Sequence, residues 1–159
     1  IITTLAIILT APVNVSAQMT NSTDFNSQII YLENGDYLET KIQSEQTKLP
    51  LSEISLFTRS TKQITKTKTS TYKSASGKSM WSVSITGTFT YNGSSAKCVS
   101  CSHSSKTYTT NWTIKSISSS KKDNSATVNA VVVHTYNNTC KTNINKNVTI
   151  TCSKNGTIS

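Results

Sequence analysis

Four cysteines are the residues of this 159-residue chain whose types and spacing most directly specify chemistry. Cys98 and Cys101 have the C-x-x-C spacing of zinc ligands and redox motifs. Eleven residues separate Cys140 from Cys152, which does not complete a zinc-ligand pattern. A thioredoxin-like motif also begins a helix, and no helical pattern follows Cys101. We therefore expect two disulfides, no metal and no cofactor.

The alternation of side chains along the predicted strands indicates how the cysteines pair. Cys98 and Cys152 share parity with apolar neighbours, so both are expected to face a core and to pair with each other. Cys101, predicted to face the opposite side from Cys98, is then left to pair with Cys140. On the loop-entropy model the first bridge would stabilise the fold by about 4 kcal/mol.

The histidines and carboxylates offer few catalytic arrangements. His103 lies among serines in a predicted turn, and His134 lies on the inward side of an apolar strand. Asp123 is the one acid in residues 61–159, and no G-x-S-x-G elbow or pair of carboxylates for glycoside hydrolysis occurs there. The chain also lacks a phosphate-binding glycine loop and a calcium loop. We therefore predict no catalytic residue and a protein that is not an enzyme.

The cysteines and histidines lie in segments that we predict to be strands. The alternation of side chains that predicts a strand is clearest from Trp81 to Tyr91. Its odd positions carry Trp, Val, Ile, Gly, Phe and Tyr, while its even positions are all Ser or Thr. This period of two predicts a strand with one buried and one solvated face. The following Asn92-Gly93 favours a type I′ hairpin turn.

Similar alternation recurs along the chain without a helical pattern of ten residues. Residues 29–42 read as a hairpin, 61–72 as an edge strand, 108–117 as a strand with a bulge near Lys115, and 126–136 as a central strand. We predict an all-β, antiparallel β-sandwich, loosely immunoglobulin-like, with an N-terminal β-hairpin. An OB-like or other small barrel is the alternative.

Three segments differ in composition and charge. Residues 1–17 read as the remnant of a signal peptide, with an apolar run and small residues before a cut after Ala17. Residues 18–60 form an acidic hairpin and linker of net charge −3, and residues 61–159 form a basic sandwich domain with thirteen lysines against one acid. Such a domain can attract anionic polymers, although lysines also block pairing at strand edges.

Candidate ligand-facing residues are tyrosines near strand ends and lysines on one predicted strand. Aromatic faces grip glycans and peptides, whereas lysines attract anions diffusely rather than by bidentate recognition. Both tryptophans fall on core positions and are expected to be structural. The candidates are Tyr72, Tyr91, Tyr108, Lys66 and Lys68.

Four stretches resemble a family of small secreted all-β proteins of Gram-positive anaerobic bacteria. They are YLENGDYLETKI, KTSTYKSASGKSMWSVSITGTFTYNGSSAKC, NWTIKS and VTITCSKNGTIS, which together span most of the chain after residue 17. Members of this family carry cysteines at the places of Cys98 and Cys152, while Cys101 and Cys140 are additions here. The resemblance implies export and an all-β fold, and it supplies no activity or catalytic residue.

We therefore expect a secreted or extracellular protein, either free or associated with the cell surface, that is non-enzymatic and binds a partner outside the cell. That partner is an extracellular protein, a glycan or an anionic envelope polymer, with no specific nucleic acid and no transmembrane segment in the mature chain. The alternative is a cationic effector acting on anionic membranes or wall polymers. A secreted hydrolase ranks third.

Peptide mapping under non-reducing conditions tests the cysteine pairing. We expect the peptide that contains Cys98 to be joined to the peptide that contains Cys152, with fragmentation separating Cys98 from Cys101. Replacing Cys101 and Cys140 together should lower stability less than replacing Cys98 and Cys152, because the second pair is predicted to fill the core. Four free thiols in the exported protein, or stoichiometric zinc, would refute the pairing.

Overall fold

The computed structural model describes residues 26–44, 61–136 and 140–159, which form eight β-strands and no helix. The strands are β1 (Asn26–Tyr31), β2 (Tyr37–Ser44), β3 (Lys62–Lys73), β4 (Ser79–Tyr91), β5 (Ala96–Thr107), β6 (Trp112–Lys122), β7 (Ser125–Tyr136) and β8 (Cys140–Thr151). The predicted all-β class is confirmed. The predicted signal segment and nearly all of the predicted linker lie outside the described residues. Within the described ranges no helix could cross a membrane.

The strands form two antiparallel sheets in which each strand pairs only with its neighbours in sequence. One sheet has the order β1-β2-β3-β4-β5, and the other has the order β6-β7-β8. The described strands thus lack the Greek-key connections that characterise an immunoglobulin-like sandwich. β2 pairs with β3 from Tyr37↔Lys73 to Ser44↔Lys66, so the expectation of β3 as an edge strand is wrong. The five-stranded sheet therefore combines β1 and β2, from the segment before residue 60, with β3, β4 and β5, from the segment after it.

The inner face of β4 contributes the largest buried side chains. Trp81, Val83, Ile85 and Phe89 are at most 1% exposed, while the alternating residues from Ser84 to Thr90 are half-buried. Apolar residues of the smaller sheet complete the same core, chiefly Val128, Val132, Val148 and Ile150. Burying both inner faces holds the two sheets together in a sandwich-like arrangement. β7 is the middle strand of its sheet, as the alternation predicted.

Hydroxyl pairs cover the outer faces of both sheets. Neighbouring strands place Ser and Thr directly opposite one another, and their hydroxyls hydrogen-bond across the strands. The larger sheet has Thr65–Thr88 at 3.0 Å, Thr67–Thr86 at 2.7 Å and Thr69–Ser84 at 2.8 Å. The smaller sheet has Ser125–Thr151 at 3.0 Å and Thr127–Thr149 at 2.9 Å. The abundance of Ser and Thr in the sequence therefore supports β-structure with little use of ion pairs.

The register of the described sheets shifts at three places, one of which lies between Tyr72 and Lys73, and the other two bear on predictions from the sequence. One lies between Ile114 and Ser116, which confirms the bulge predicted near Lys115. The other places Cys98 opposite Phe89 and Cys101 opposite Gly87, so an extra residue of β5 lies between the two pairs. Because Phe89 and Gly87 lie on the same inner face, the expectation that Cys98 and Cys101 face opposite sides is wrong.

The hairpin turn between β4 and β5 is not of the predicted type I′. That turn needs positive φ at both central residues, but here Gly93 has φ of 83° while Asn92 is not among the residues with positive φ. The Asn92 side chain instead accepts hydrogen bonds from the amides of Ser94 at 3.0 Å and Ser95 at 2.9 Å. The same strand pairing extends to Thr107, so His103 lies in β5 rather than in a turn.

The close approach at Gly87 gives a test of the core. A Cβ at this position would lie 2.6 Å from the Phe89 ring and 3.4 Å from Ile150. We expect Gly87→Ala to lower the free energy of unfolding by about 1–3 kcal/mol, because a well-packed core resists an added methyl group. Urea denaturation measures the change, with Ser102→Ala on the exposed part of β5 as the control. Equal midpoints for the two variants would contradict this packing.

Candidate ligand-binding cavity

A cavity of about 450 Å³ opens where one end of the larger sheet meets one end of the smaller sheet. The turn between β1 and β2, the last residues of β3 and β7, and the first residues of β4, β6 and β8 surround it. Its lining combines rings, amides, one carboxylate and two apolar side chains. These residues are Asn34, Asp36, Tyr72, Met80, Asn111, Trp112, His134, Tyr136, Thr142 and Ile144.

Five rings form a continuous series from the core to the cavity mouth. Trp81 and Tyr72 are stacked with centroids 5.5 Å apart, and Tyr72 lies 5.2 Å from Trp112. Trp112 and His134 are parallel within 2°, at 4.1 Å, and His134 lies 3.9 Å from Tyr136. Trp81, Tyr72 and Trp112 are buried, whereas Tyr136 is 50% exposed. The series therefore holds the outer rings rigidly while leaving Tyr136 accessible.

The pairing of the strands explains why these rings meet. Tyr72 is opposite Trp81 across β3 and β4, and Trp112 is opposite His134 across β6 and β7. Tyr136 follows His134 on the same inward side, because side chains alternate along a strand. The packing of the two sheets then places the Tyr72–Trp81 pair of the larger sheet against the Trp112–His134 pair of the smaller sheet.

Asp36 fixes the turn between β1 and β2 to the rest of the cavity. Its carboxylate accepts hydrogen bonds from the Tyr72 hydroxyl, from Asn34 Nδ2 at 2.9 Å and from the Ala75 amide at 3.0 Å. The Tyr72 bond is the main reason that the pKa of Asp36 is below its usual value. Burial, followed by Asp36, raises the pKa of Tyr72. Asp36 is therefore held as an anion and Tyr72 as a hydrogen-bond donor.

Asn111 orients the imidazole of His134. Its backbone carbonyl accepts a hydrogen bond from the Thr135 amide at 2.9 Å, which holds it beside the end of β7. Its side-chain Nδ2 lies 2.9 Å from His134 Nε2. With the amide donating, Nε2 accepts and the imidazole carries its proton on Nδ1. Asn111 and Thr142 are exposed, so the amide oxygen of Asn111 and the hydroxyl of Thr142 stay available to a ligand.

The geometry suits binding of an organic ligand by rings and polar groups. In the described ranges no group of three or more His, Cys, Asp or Glu side chains could hold a metal ion. No protein-family model matches the chain, and neither does any curated protein or solved structure. The lining instead combines aromatic and apolar surfaces with a comparable share of polar groups, which suits a ligand that presents both kinds of surface.

The candidate residues from the sequence occupy different places. Tyr72 lines the cavity and is 7% exposed. Tyr91 packs under the C-terminal turn, where a Cβ at Gly156 would lie 2.4 Å from its ring. Tyr108 is 45% exposed outside the cavity, with Lys106 Nζ 5.0 Å from its ring centroid. Lys66 and Lys68 lie farther along β3, also outside the lining.

The cysteines lie away from the cavity. Cys98 and Cys152 are buried, and both flank the turn between β6 and β7: their amides donate to the carbonyls of Asp123 at 2.8 Å and Asn124 at 3.0 Å. Cys98, Cys101 and Cys152 are free thiols in the structure. Burial raises the pKa of Cys98 and Cys152, and the nearby Cys101 and Cys152 raise that of Cys98 further.

The predicted pairing of Cys98 with Cys152 stays a prediction, although the two lie near each other at one end of the core. The side chain of Cys140 lies outside the described part of the structure, so its pairing with Cys101 also stays a prediction. The inward rotation of Cys101 at the bulge adds a third neighbouring thiol. Thiols with raised pKa are mainly protonated at neutral pH, which slows their exchange reactions.

Sequence reasoning missed most of the cavity. It assigned Trp112 to the core and left His134 without a role, and it placed Asp36 in a separate acidic segment. The inward alternation of His134 and Tyr136 was the available signal, since two polar rings ending an apolar strand indicate a wall that reaches solvent. No local signal links Asp36 to Tyr72, because their contact depends on the pairing of β2 with β3.

The depressed pKa of Asp36 predicts a pH-dependent loss of stability. The ionised carboxylate stabilises the fold fully above its unfolded pKa of about 3.9, and this contribution disappears as pH falls through the lower folded value. We expect Asp36→Asn to unfold about 1 kcal/mol more easily at pH 7, with the difference shrinking towards pH 2.

Urea denaturation at several pH values measures the effect of Asp36→Asn. Glu33→Gln is the control, since Glu33 is an exposed carboxylate in the same turn. A deficit in Asp36→Asn that does not change with pH would show that shape, rather than charge, holds the turn.

Proposed function

We propose that the protein is a secreted, non-enzymatic binding protein whose cavity holds a polar ring of an extracellular or cell-envelope glycan. The observation that carries this proposal is the aromatic series that ends at His134 and Tyr136 beside exposed polar groups. A sugar ring presents apolar C–H faces and hydroxyl edges, so it needs both kinds of contact. Tyr136 supplies a face, while Asn111 and Thr142 supply hydrogen bonds.

The preformed cavity favours binding because little order has to be gained when a ligand enters. Trp112 and Tyr72 are held by packing on the core, and Asp36 holds the opposite turn. Preorganisation of this kind lowers the entropy lost on association. A volume of about 450 Å³ is in the range of pockets that accept one or two sugar rings.

The state of Asp36 and Tyr72 supports binding over catalysis. A general base works best with a pKa near the operating pH, but the pKa of Asp36 is lowered and that of Tyr72 is raised. The three hydrogen bonds to Asp36 also occupy it as an acceptor. A secreted hydrolase, the third candidate, would have to use His134 without a hydrogen bond from its imidazole to this carboxylate.

Export of the protein is part of the proposal and rests on the sequence. The apolar run and small residues of the predicted signal segment support it, as does the resemblance to secreted proteins. The hydroxyl-covered sheets support it as well, because they give a soluble surface without a dense network of ions.

A second candidate function is attraction of anionic wall polymers by the basic part of the chain. Residues 61–159 carry thirteen lysines against Asp123 alone, and all thirteen lie in the described ranges. Such attraction should weaken steeply between low and physiological salt. Glycan binding in the cavity should change little over the same range.

Binding measurements with cell-wall glycan fragments test the proposed function. Saturation-transfer NMR identifies a fragment that binds, and calorimetry measures its affinity for the protein and for two matched variants. We expect Tyr136→Ala to weaken binding about tenfold or more, because it removes the exposed wall of the cavity. Tyr108→Ala should have no effect, since Tyr108 is equally exposed but lies outside the cavity.

Two outcomes would refute the glycan-binding proposal. Equal losses in Tyr136→Ala and Tyr108→Ala would show that the cavity does not bind the fragment. Turnover of a wall fragment that disappears in His134→Gln would show that the protein is a hydrolase.

A further inference from the structure

Three lysines lie on the inner side of the sandwich, where side chains usually meet the core. Lys66 and Lys68 share the inward side of β3 with Ile64 and Tyr72, both of which pack on the core. The register places Lys68 opposite Ile85, which is fully buried, and Lys66 opposite Gly87. Both lysines are half-buried.

Lys146 occupies the matching side of the smaller sheet. It precedes the buried Val148 on the inward side of β8 and lies opposite Ala130, which is 3% exposed. β8 is an edge strand of its sheet and packs against β3 and β4, so Lys146 lies at the border of the packed sheets on the side of β3. Burial lowers the pKa of Lys146, and the charge of Lys68 lowers it further. Burial likewise lowers the pKa of Lys68.

The carboxylates in the described ranges do not neutralise the three lysines Lys66, Lys68 and Lys146. Glu39 lies on the outer side of the sheet, where Lys41 and Lys73 bind it at 2.9 Å and 2.8 Å. Asp36 and Glu33 lie in the turn between β1 and β2, and Asp123 lies in the turn between β6 and β7. In the described ranges, the hydrogen bond found for these ammonium groups is the one from Lys66 to Ser44 Oγ.

Ser70 adds an unused donor next to the lysines. It follows Lys68 on the same side of β3 and is fully buried. Within the described structure its hydroxyl has no hydrogen-bond partner. Buried hydroxyls are usually bonded, and half-buried cations of like charge are unfavourable without a counterion. An anion between the sheets would accept a hydrogen bond from the Ser70 hydroxyl and would neutralise the charge of the lysines.

We propose that Lys66, Lys68, Lys146 and Ser70 form a site for a phosphate group of an anionic wall polymer. Ammonium groups bind phosphate as point charges, and a buried hydroxyl can donate to one of its oxygens. A single polymer chain can enter the space beside β8, whereas a flat lipid surface cannot reach half-buried ammonium groups. This inference rests on the second candidate function and assigns it a place in the fold.

Calorimetry with poly(glycerol phosphate) compares two variants of equal charge. Lys68→Gln/Lys146→Gln removes the proposed site, and Lys97→Gln/Lys154→Gln removes two exposed lysines elsewhere. We expect Lys68→Gln/Lys146→Gln to weaken polymer binding about tenfold or more. We expect Lys97→Gln/Lys154→Gln to weaken it about twofold. Ser70→Ala should weaken binding without changing its salt dependence. The melting temperature of Lys68→Gln/Lys146→Gln should not fall, because the variant relieves like-charge repulsion.

A titration of the lysine ¹³Cε signals with inorganic phosphate tests the site without the polymer. We expect phosphate to raise the pKa of Lys68 and Lys146 from their lowered values. If phosphate has this effect but the protein does not bind the polymer, the site stands and the second candidate function fails.

Other outcomes would overturn the site. Equal weakening of polymer binding by the two charge-matched variants would show diffuse attraction without a site. The same conclusion follows if phosphate leaves both pKa values unchanged. Loss of binding to anionic lipid vesicles in Lys68→Gln/Lys146→Gln, with polymer binding intact, would assign the lysines to a membrane surface instead.

Discussion

Burial of the inner face of β4 is the interaction on which the rest of the structure depends. Trp81, Val83, Ile85 and Phe89 have almost no exposure, and every one of them requires the smaller sheet as a cover. Apolar burial of this kind contributes about 25 cal/mol per Å², so these side chains dominate the packing of the two sheets. Gly87 leaves room for the Phe89 ring of the same strand, which lies where a methyl group at position 87 would not fit.

The same packing produces both candidate sites. At one end, the stacking of Trp81 on Tyr72 continues the core into the rings of the cavity, so core and ligand wall are one series of contacts. Beside β8, the smaller sheet ends while the larger sheet continues through β2 and β1, which leaves the lysines at a boundary between core and solvent. The packed sheets therefore place the aromatic cavity and the lysine cluster in separate parts of the fold.

Side-chain alternation was enough to predict the strands, but not the places where the structure departs from regular alternation or joins distant strands. Alternation identified β4 and β7 and the bulge near Lys115, because local parity reveals which side of a strand is buried. The bulge in β5 lacked such a signal and reversed the expected direction of Cys101. The lysines of β3 suggested an edge, whereas pairing with β2 makes the strand internal. Asp36 joins the cavity because β2 pairs with β3, and the contact of Asp36 with Tyr72 depends on a register that local pattern does not reveal.

The sequential order of the strands has a consequence for how the molecule folds. Each described pair of hydrogen-bonded neighbours is consecutive in sequence, so the backbone ladders form without long crossovers between sheets. Folding rates fall as contacts span more of the chain, and a Greek-key sandwich of this size has to close longer loops. Here hairpins can nucleate locally, so we expect the packing of one meander onto the other to be the slower step. Until that step the inner side of β4 is uncovered, so aggregation competes with folding at that stage.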